Sequence, residues 1–207
     1  MNLVYIRNVE ELTKEKKFWE ITKKSLRMLK PSITRMRILV IISLIMVIPI
    51  INCIDSNKTT ITIVKCIELS NDIIKDLFAI NFTGYALFQA LASSNTLKQL
   101  LSSNGREMSV FKEYNLFFFG ISILYVVIIL TNYLGLMILN MMDLSSVDIN
   151  NTLKYASIFV TFNMYIIINA FAIIEIKSFI LNMYNCFNIS AVTESIKALN
   201  EEYGKDD

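Results

Sequence analysis

LFFFGISILYVVIILTNYLGLMILNMM, residues 116–142, contains no charged side chain, and ILVIISLIMVIPIINCI, residues 38–54, repeats the pattern earlier in the chain. A helix rises about 1.5 Å per residue, so about 20 apolar residues cross a hydrocarbon layer of roughly 30 Å. Runs of this kind specify membrane-crossing helices. Two further segments complete the set. Residues 155–181 are rich in Ile and Phe, whereas 77–93, LFAINFTGYALFQALAS, is shorter and holds Asn81 and Gln89. The expected fold is therefore an all-α integral membrane protein. It is a four-transmembrane-helix bundle with spans at 38–54, 77–93, 116–142 and 155–181, the second extended by an amphipathic helix over 61–76. Residues 1–37 precede this membrane domain (38–186) as a basic amphipathic segment, and 187–207 follow it as a helical cytoplasmic extension.

Composition agrees with this class. The 207 residues are 54% hydrophobic and 18% charged, against a charged share of about 25% in soluble globules. The chain has no histidine, which excludes His-based triads, haem ligation by His and His-containing zinc sites. Cys53, Cys66 and Cys186 lack CxxC spacing and are expected to be small buried residues rather than metal ligands. Cys53 and Cys66 flank one expected external loop and would pair only in an oxidising compartment. No phosphate-binding, catalytic or metal motif is present, so neither enzyme activity nor a cofactor is expected. The first apolar run is preceded by 37 residues and followed by no small-x-small cleavage site, which reads as a retained span rather than a signal peptide.

Basic residues set the orientation, because cytoplasmic flanks carry excess Lys and Arg. Residues 1–37 hold ten bases and four acids, a net of +6, and since the whole chain is +2 the remainder is −4. The link between the second and third spans carries Lys98, Arg106 and Lys112, whereas 143–153 has two Asp and no base. Both termini are thus expected on the cytoplasmic side of the cell membrane, as an even number of spans requires.

Outside the bilayer, 9–30 reads as a helix with Leu12, Trp19, Leu26 and Leu29 set among bases, broken by Pro31. Such a helix suits an interfacial anchor on anionic lipid. Alternatively Lys16, Lys17, Lys23, Lys24, Arg27 and Lys30 contact a cytoplasmic polyanion or a partner that acts as a gate. In the internal link, a helical piece at 96–101 is followed by the turn signal Ser102-Ser103-Asn104-Gly105 and by Ser109, placed to cap the third long helix. Near the C-terminus, Ile189, Val192, Ile196, Leu199 and Tyr203 recur at three- and four-residue steps. Two heptads of this kind form a seam for neighbouring subunits or for the chain's own N-terminal helix.

Three sets of polar groups bear on function. Glu68, Asp72 and Asp76 stand at i, i+4 and i+8, a ladder of like charges that opposes helix formation by a few tenths of a kcal/mol per pair, roughly. Lys65 and Lys75 lie close enough to offset it in part. Repeated around an axis, the ladder would form acidic rings that concentrate cations. On the fourth span Ser157, Thr161, Tyr165, Asn169, Ala172 and Glu175 follow one line. That line either packs inside a bundle or lines water. Asn132 and Asn140 on the third span, with Asn81 and Gln89 on the second, are expected to find partners inside the bundle. No mid-span acid faces a central base and no inverted repeat is visible, which argues against an ion-coupled carrier.

These features converge on a homo-oligomeric channel or pore, with Ser157, Thr161, Tyr165, Asn169 and Glu175 as lining candidates. In layout and size the chain resembles small four-span membrane effectors of bacterial defence systems, which implies antiviral membrane disruption on a trigger. The competing expectation is a non-conducting accessory or immunity protein that acts by binding a partner protein.

Overall fold

Ser32 begins the first long apolar helix: its hydroxyl accepts a hydrogen bond from the Arg35 backbone N–H at 3.4 Å and caps a helix that runs on through Ile54. The structure, a computed structural model, describes residues 3–13, 17–55, 58–92, 94–102, 108–141 and 150–203. It is almost entirely helical (93%), with no strand among the described residues. The helices in chain order are α1 (Leu3–Thr13), α2 (Phe18–Met28), α3 (Ile33–Ile54), α4 (Thr59–Leu91), α5 (Ser94–Ser102), α6 (Val110–Met141), α7 (Asn151–Ile174) and α8 (Ile176–Tyr203). Lys16, the turn residues 103–105, Arg106, Asp143 and Asp148 lie outside the described residues, as does the side chain of Tyr203.

Three helical stretches are long and apolar enough to cross a membrane: α3, α6, and the α7–α8 run from Asn151 to Glu202. Only 17% of the apolar window of α3 is buried. Leu44, Ile45 and Ile48 on it are each more than 60% exposed, as side chains facing lipid are. The fourth expected crossing, 77–93, falls in the second half of α4 and is not among the three. The expected amphipathic stretch 61–76 and this segment form one continuous helix. Asn81 and Gln89 dilute its apolar run, and the helix ends at Leu91, so no purely apolar window of sufficient length fits inside it. The expected single N-terminal helix over 9–30 is instead two, α1 and α2. Along the fourth expected span, Glu175 is a joint between α7 and α8, and its backbone N–H still donates to the Phe171 carbonyl at 3.1 Å.

The chain divides into two compact units. The first comprises residues 1–30, 80–123 and 177–207. Its core is aromatic: the Phe88 ring lies 5.4 Å from both Phe111 and Phe118, and Phe118 meets Phe179 edge-on at 5.6 Å. Gly84 is buried against the Phe179 ring, and a Cβ there would collide with it. α1 packs on α5, where Asn8 Nδ2 donates to the Leu101 carbonyl at 2.7 Å. The polar residues of the α4 portion are absorbed by α6. Asn81 Nδ2 donates to Ser122 Oγ at 2.7 Å, Tyr85 donates to Asn115 Oδ1 at 2.6 Å, and Gln89 reaches the same Asn115 oxygen at 3.5 Å. Ser109 caps α6 from its side chain, 3.4 Å from the Lys112 backbone nitrogen.

The second unit comprises residues 31–79 and 124–176. Here α3 packs along α7, around Ile50, Ile63, Ile67 and Phe162, with Met46, Leu136 and Ile158 against them. Pro49 sits inside α3 and removes one backbone donor. At the end of that helix the Thr59 hydroxyl bridges to the Cys53 carbonyl at 2.9 Å and the Ile54 carbonyl at 3.2 Å. Among the described residues, Cys53, Cys66 and Cys186 form no disulfide.

Candidate functional site

The polar line of α7 divides in two. Its members from Asn169 onward are consumed by packing inside the second unit, and the nearby Asn163, which is not on the line, is held in the same way. Asn163 is buried and accepts from Ser43 of α3 at 2.9 Å. Asn169, also buried, accepts from Ser70 of α4 at 2.5 Å while its own amide donates back to the Tyr165 carbonyl at 2.8 Å. Glu175 is fully buried and paired with Arg35 of α3 at 2.6 Å. Three polar contacts therefore tie α7 to its neighbours at three levels. Hydrogen bonds of this kind hold helices together in hydrocarbon, where an unsatisfied polar group is expensive.

Asn132, on α6, is fully buried and accepts a hydrogen bond from the Tyr165 hydroxyl at 3.0 Å, while its Nδ2 has no acceptor among the described residues. Tyr125 is likewise buried and donates to the Ala172 carbonyl at 3.3 Å. These bonds place α6 against α7. Asn140, expected on the same polar line as Asn132, is exposed instead.

The upper members of the line are different. Ser157 and Thr161 are exposed, Tyr165 is half-buried, and all three line a groove of about 370 Å³. α4 contributes Ile63 and Ile67 to its wall, and α6 contributes Thr131, Gly135, Ile138 and Leu139. The groove is mostly apolar, with hydroxyls from Thr131, Ser157, Thr161 and Tyr165 as its polar groups. Thr131 turns its hydroxyl to the Val127 carbonyl at 2.8 Å, one turn back along its own helix. Gly135 leaves room in the wall: a Cβ there would touch only Ile67, at 3.7 Å. Small and hydroxyl-bearing residues on a membrane helix allow a second helix to approach closely.

Glu68, Asp72 and Asp76 are all exposed on α4. Lys75 reaches Asp72 at 3.3 Å, so the ladder carries one internal counter-charge. Exposed pairs of this kind contribute little stability, and the carboxylates remain available to solvent or cations. The basic residues of α2 and its flanks, Lys17, Lys23, Lys24, Arg27 and Lys30, are exposed as well. On α8 the seam residues Val192, Ile196 and Leu199 are about half exposed and Ile189 is partly covered. Thr193, between them, donates its hydroxyl to Gln99 of α5. No group of His, Cys, Asp or Glu that could hold a metal ion occurs among the described residues.

Arg35, Ser43 and Ser70, the partners of the buried α7 polar groups, were not legible as functional residues from sequence. Arg35 reads there as one more cytoplasmic base, and nothing in the linear order points to Glu175, 140 positions away. Comparison with family models, with curated proteins and with solved structures returned no match.

Proposed function

We propose that the chain is a four-span cell-membrane protein that assembles as a homo-oligomeric channel or pore, with the upper half of α7 at the conducting or subunit-facing surface. The second half of α4 is the fourth crossing in this reading, with Asn81 and Tyr85 bonded to Ser122 and Asn115 of α6. Four crossings keep both termini on the basic, cytoplasmic side. The observation that carries the proposal is the groove with Thr131, Ser157 and Thr161 on helices whose other exposed residues are mostly Ile, Leu, Val and Met, with Tyr133, Asn140 and Tyr155 toward the helix ends. In a monomer surrounded by lipid these hydroxyls gain nothing from exposure. In a ring of subunits they meet a neighbouring helix or water, and the exposed acids of α4 supply a cation-attracting surface.

A second reading is favoured by a separate observation. Asn163, Asn169 and Glu175 each find a partner within one chain, as in a non-conducting accessory or immunity protein whose polar groups on α7 are structural throughout. The two readings separate on a nanodisc-solubilised sample whose particle mass is measured and which is then recorded in a planar bilayer. A discrete oligomer with unitary currents supports the pore. A silent monomer under all applied voltages sinks it in favour of the accessory protein.

A further inference from the structure

Helix α2 is inside out. Its buried residues are Thr22 and Ser25, and the hydroxyls of both lack hydrogen-bond partners among the described residues. Three of its large apolar residues point away from the protein: Trp19 is 77% exposed, Phe18 61% and Leu26 45%, while Ile21 and Met28 are partly buried and Leu29, just past the helix, is buried. A helix on a water-washed surface does the reverse and turns its aromatic and aliphatic residues inward. The inward face is small for a geometric reason. α2 lies directly on α6 at Gly120, where a Cβ would stand 2.8 Å from the Ser25 carbonyl oxygen. Only small residues fit at such a crossing. Phe18 touches the same helix at its rim, edge-on to Phe119 at 6.1 Å.

The outward face combines those apolar residues with charge. Lys17, Lys23, Lys24, Arg27 and Lys30 are all exposed, and Glu20 is the sole acid between them. Trp19, Lys23 and Leu26 share one shallow depression with Glu20 and Thr22. Aromatic rings with interleaved bases are the composition that settles at the boundary of headgroups and acyl chains. The depth agrees. Gly120 is seven residues beyond Glu113, the last charged residue of α6 before its apolar run, or about 10 Å along the helix axis. In sequence α2 ends only a few residues before α3, a helix apolar enough to cross a membrane.

We propose that the outward face of α2 is a binding surface for anionic lipid, with Phe18, Trp19 and Leu26 seated among the acyl chains and the five bases on acidic headgroups. The inverted burial follows from this, because the medium outside α2 is then less polar than the crossing beneath it. The surface is independent of whether the protein conducts.

Trp19 is the chain's single tryptophan, so fluorescence of the full-length protein excited beyond the tyrosine absorption band reports this face alone. The protein is reconstituted in vesicles of phosphatidylcholine and phosphatidylglycerol, with either lipid brominated near the top of its acyl chains, at equal mole fraction. Bromine should quench Trp19 in both, and brominated phosphatidylglycerol should quench about twice as strongly, reflecting local enrichment by basic residues near the surface. A Lys17→Gln, Lys23→Gln, Lys24→Gln, Arg27→Gln, Lys30→Gln variant changes exposed positions only and should bring the ratio to about one while keeping some quenching. Equal quenching by both lipids in the unmodified protein overturns the anionic-lipid surface. So does Trp19 emission that bromine does not touch, whether iodide reaches it from water, an added single-stranded oligonucleotide shifts it, or nothing reaches it because protein covers it.

Discussion

Arg35→Leu should destabilise the protein far more than Glu175→Gln, and the two changes together should largely restore it. The pair closes at 2.6 Å, with Glu175 fully buried and Arg35 30% exposed. With charge centres about 4 Å apart and an effective dielectric near 20, the attraction is about 4 kcal/mol. Removing one partner of a buried pair costs about 3–5 kcal/mol because the other charge stays behind. Water screens part of the Arg35 side, which sets our expectation for Arg35→Leu at about 3 kcal/mol. In a chain of this length each kcal/mol moves Tm by about 2–4 °C, so the melting temperature should fall by about 6–12 °C. Glu175→Gln leaves an arginine that can reach water and a neutral amide in place of the carboxylate, and should cost about 1 kcal/mol. The double variant should lie within about 1 kcal/mol of the parent, as when a buried pair is replaced whole. The assay is thermal denaturation in one detergent, followed by loss of the monodisperse peak on size exclusion and by helical circular dichroism. Equal, small effects from both single changes would refute the reasoning, since they would mean that Glu175 is not held in a dry site by Arg35.

Three other outcomes follow from the same geometry. Replacing Glu68, Asp72 and Asp76 by Asn should lower the cation-to-anion permeability ratio in bilayer recordings and raise helix stability by a few tenths of a kcal/mol per relieved pair, roughly; an unchanged reversal potential in a working channel removes the ladder from the conduction path. Gly120→Ala should push α2 off its crossing with the Ser25 carbonyl, at about 1–3 kcal/mol for overpacking, and limited proteolysis between α2 and α3 should speed up. Asn169→Leu removes the acceptor of the Ser70 hydroxyl and should cost about 1–2 kcal/mol in the same melting assay, whereas Thr161→Val, at an exposed position, should leave Tm unchanged.

The membrane class was readable from charge-free runs alone, because a crossing helix has to be apolar over its whole length. α3 and α6 therefore fall where the runs at 38–54 and 116–142 lie, each with about one or two polar turns added at its N-terminal end. Ser109 was readable as a cap and Asn81 and Gln89 as residues needing partners, since each is a local demand for a hydrogen bond. The partners themselves were not. Ser43, Ser70, Asn115 and Arg35 are brought to their acceptors or donors by packing between segments far apart in sequence. Trp19 and Leu26 among bases made a lipid anchor readable in this segment, but not the face of α2 that meets α6: periodicity shows that a helix has two faces, and not which of them meets protein. Gly120 carried the missing information, because it marks where a backbone can approach closely, but only the fold shows that α2 is the element that does so.

Charged thiol-reagent block of bilayer current, recorded on protein bearing Thr161→Cys in a background with Cys53, Cys66 and Cys186 replaced by Ala, tests the pore most directly. We predict unitary currents from the purified protein that fall when the reagent reaches position 161 and recover on reduction. Absence of current from a folded, monodisperse preparation, or currents untouched by complete modification of that cysteine, would contradict the account.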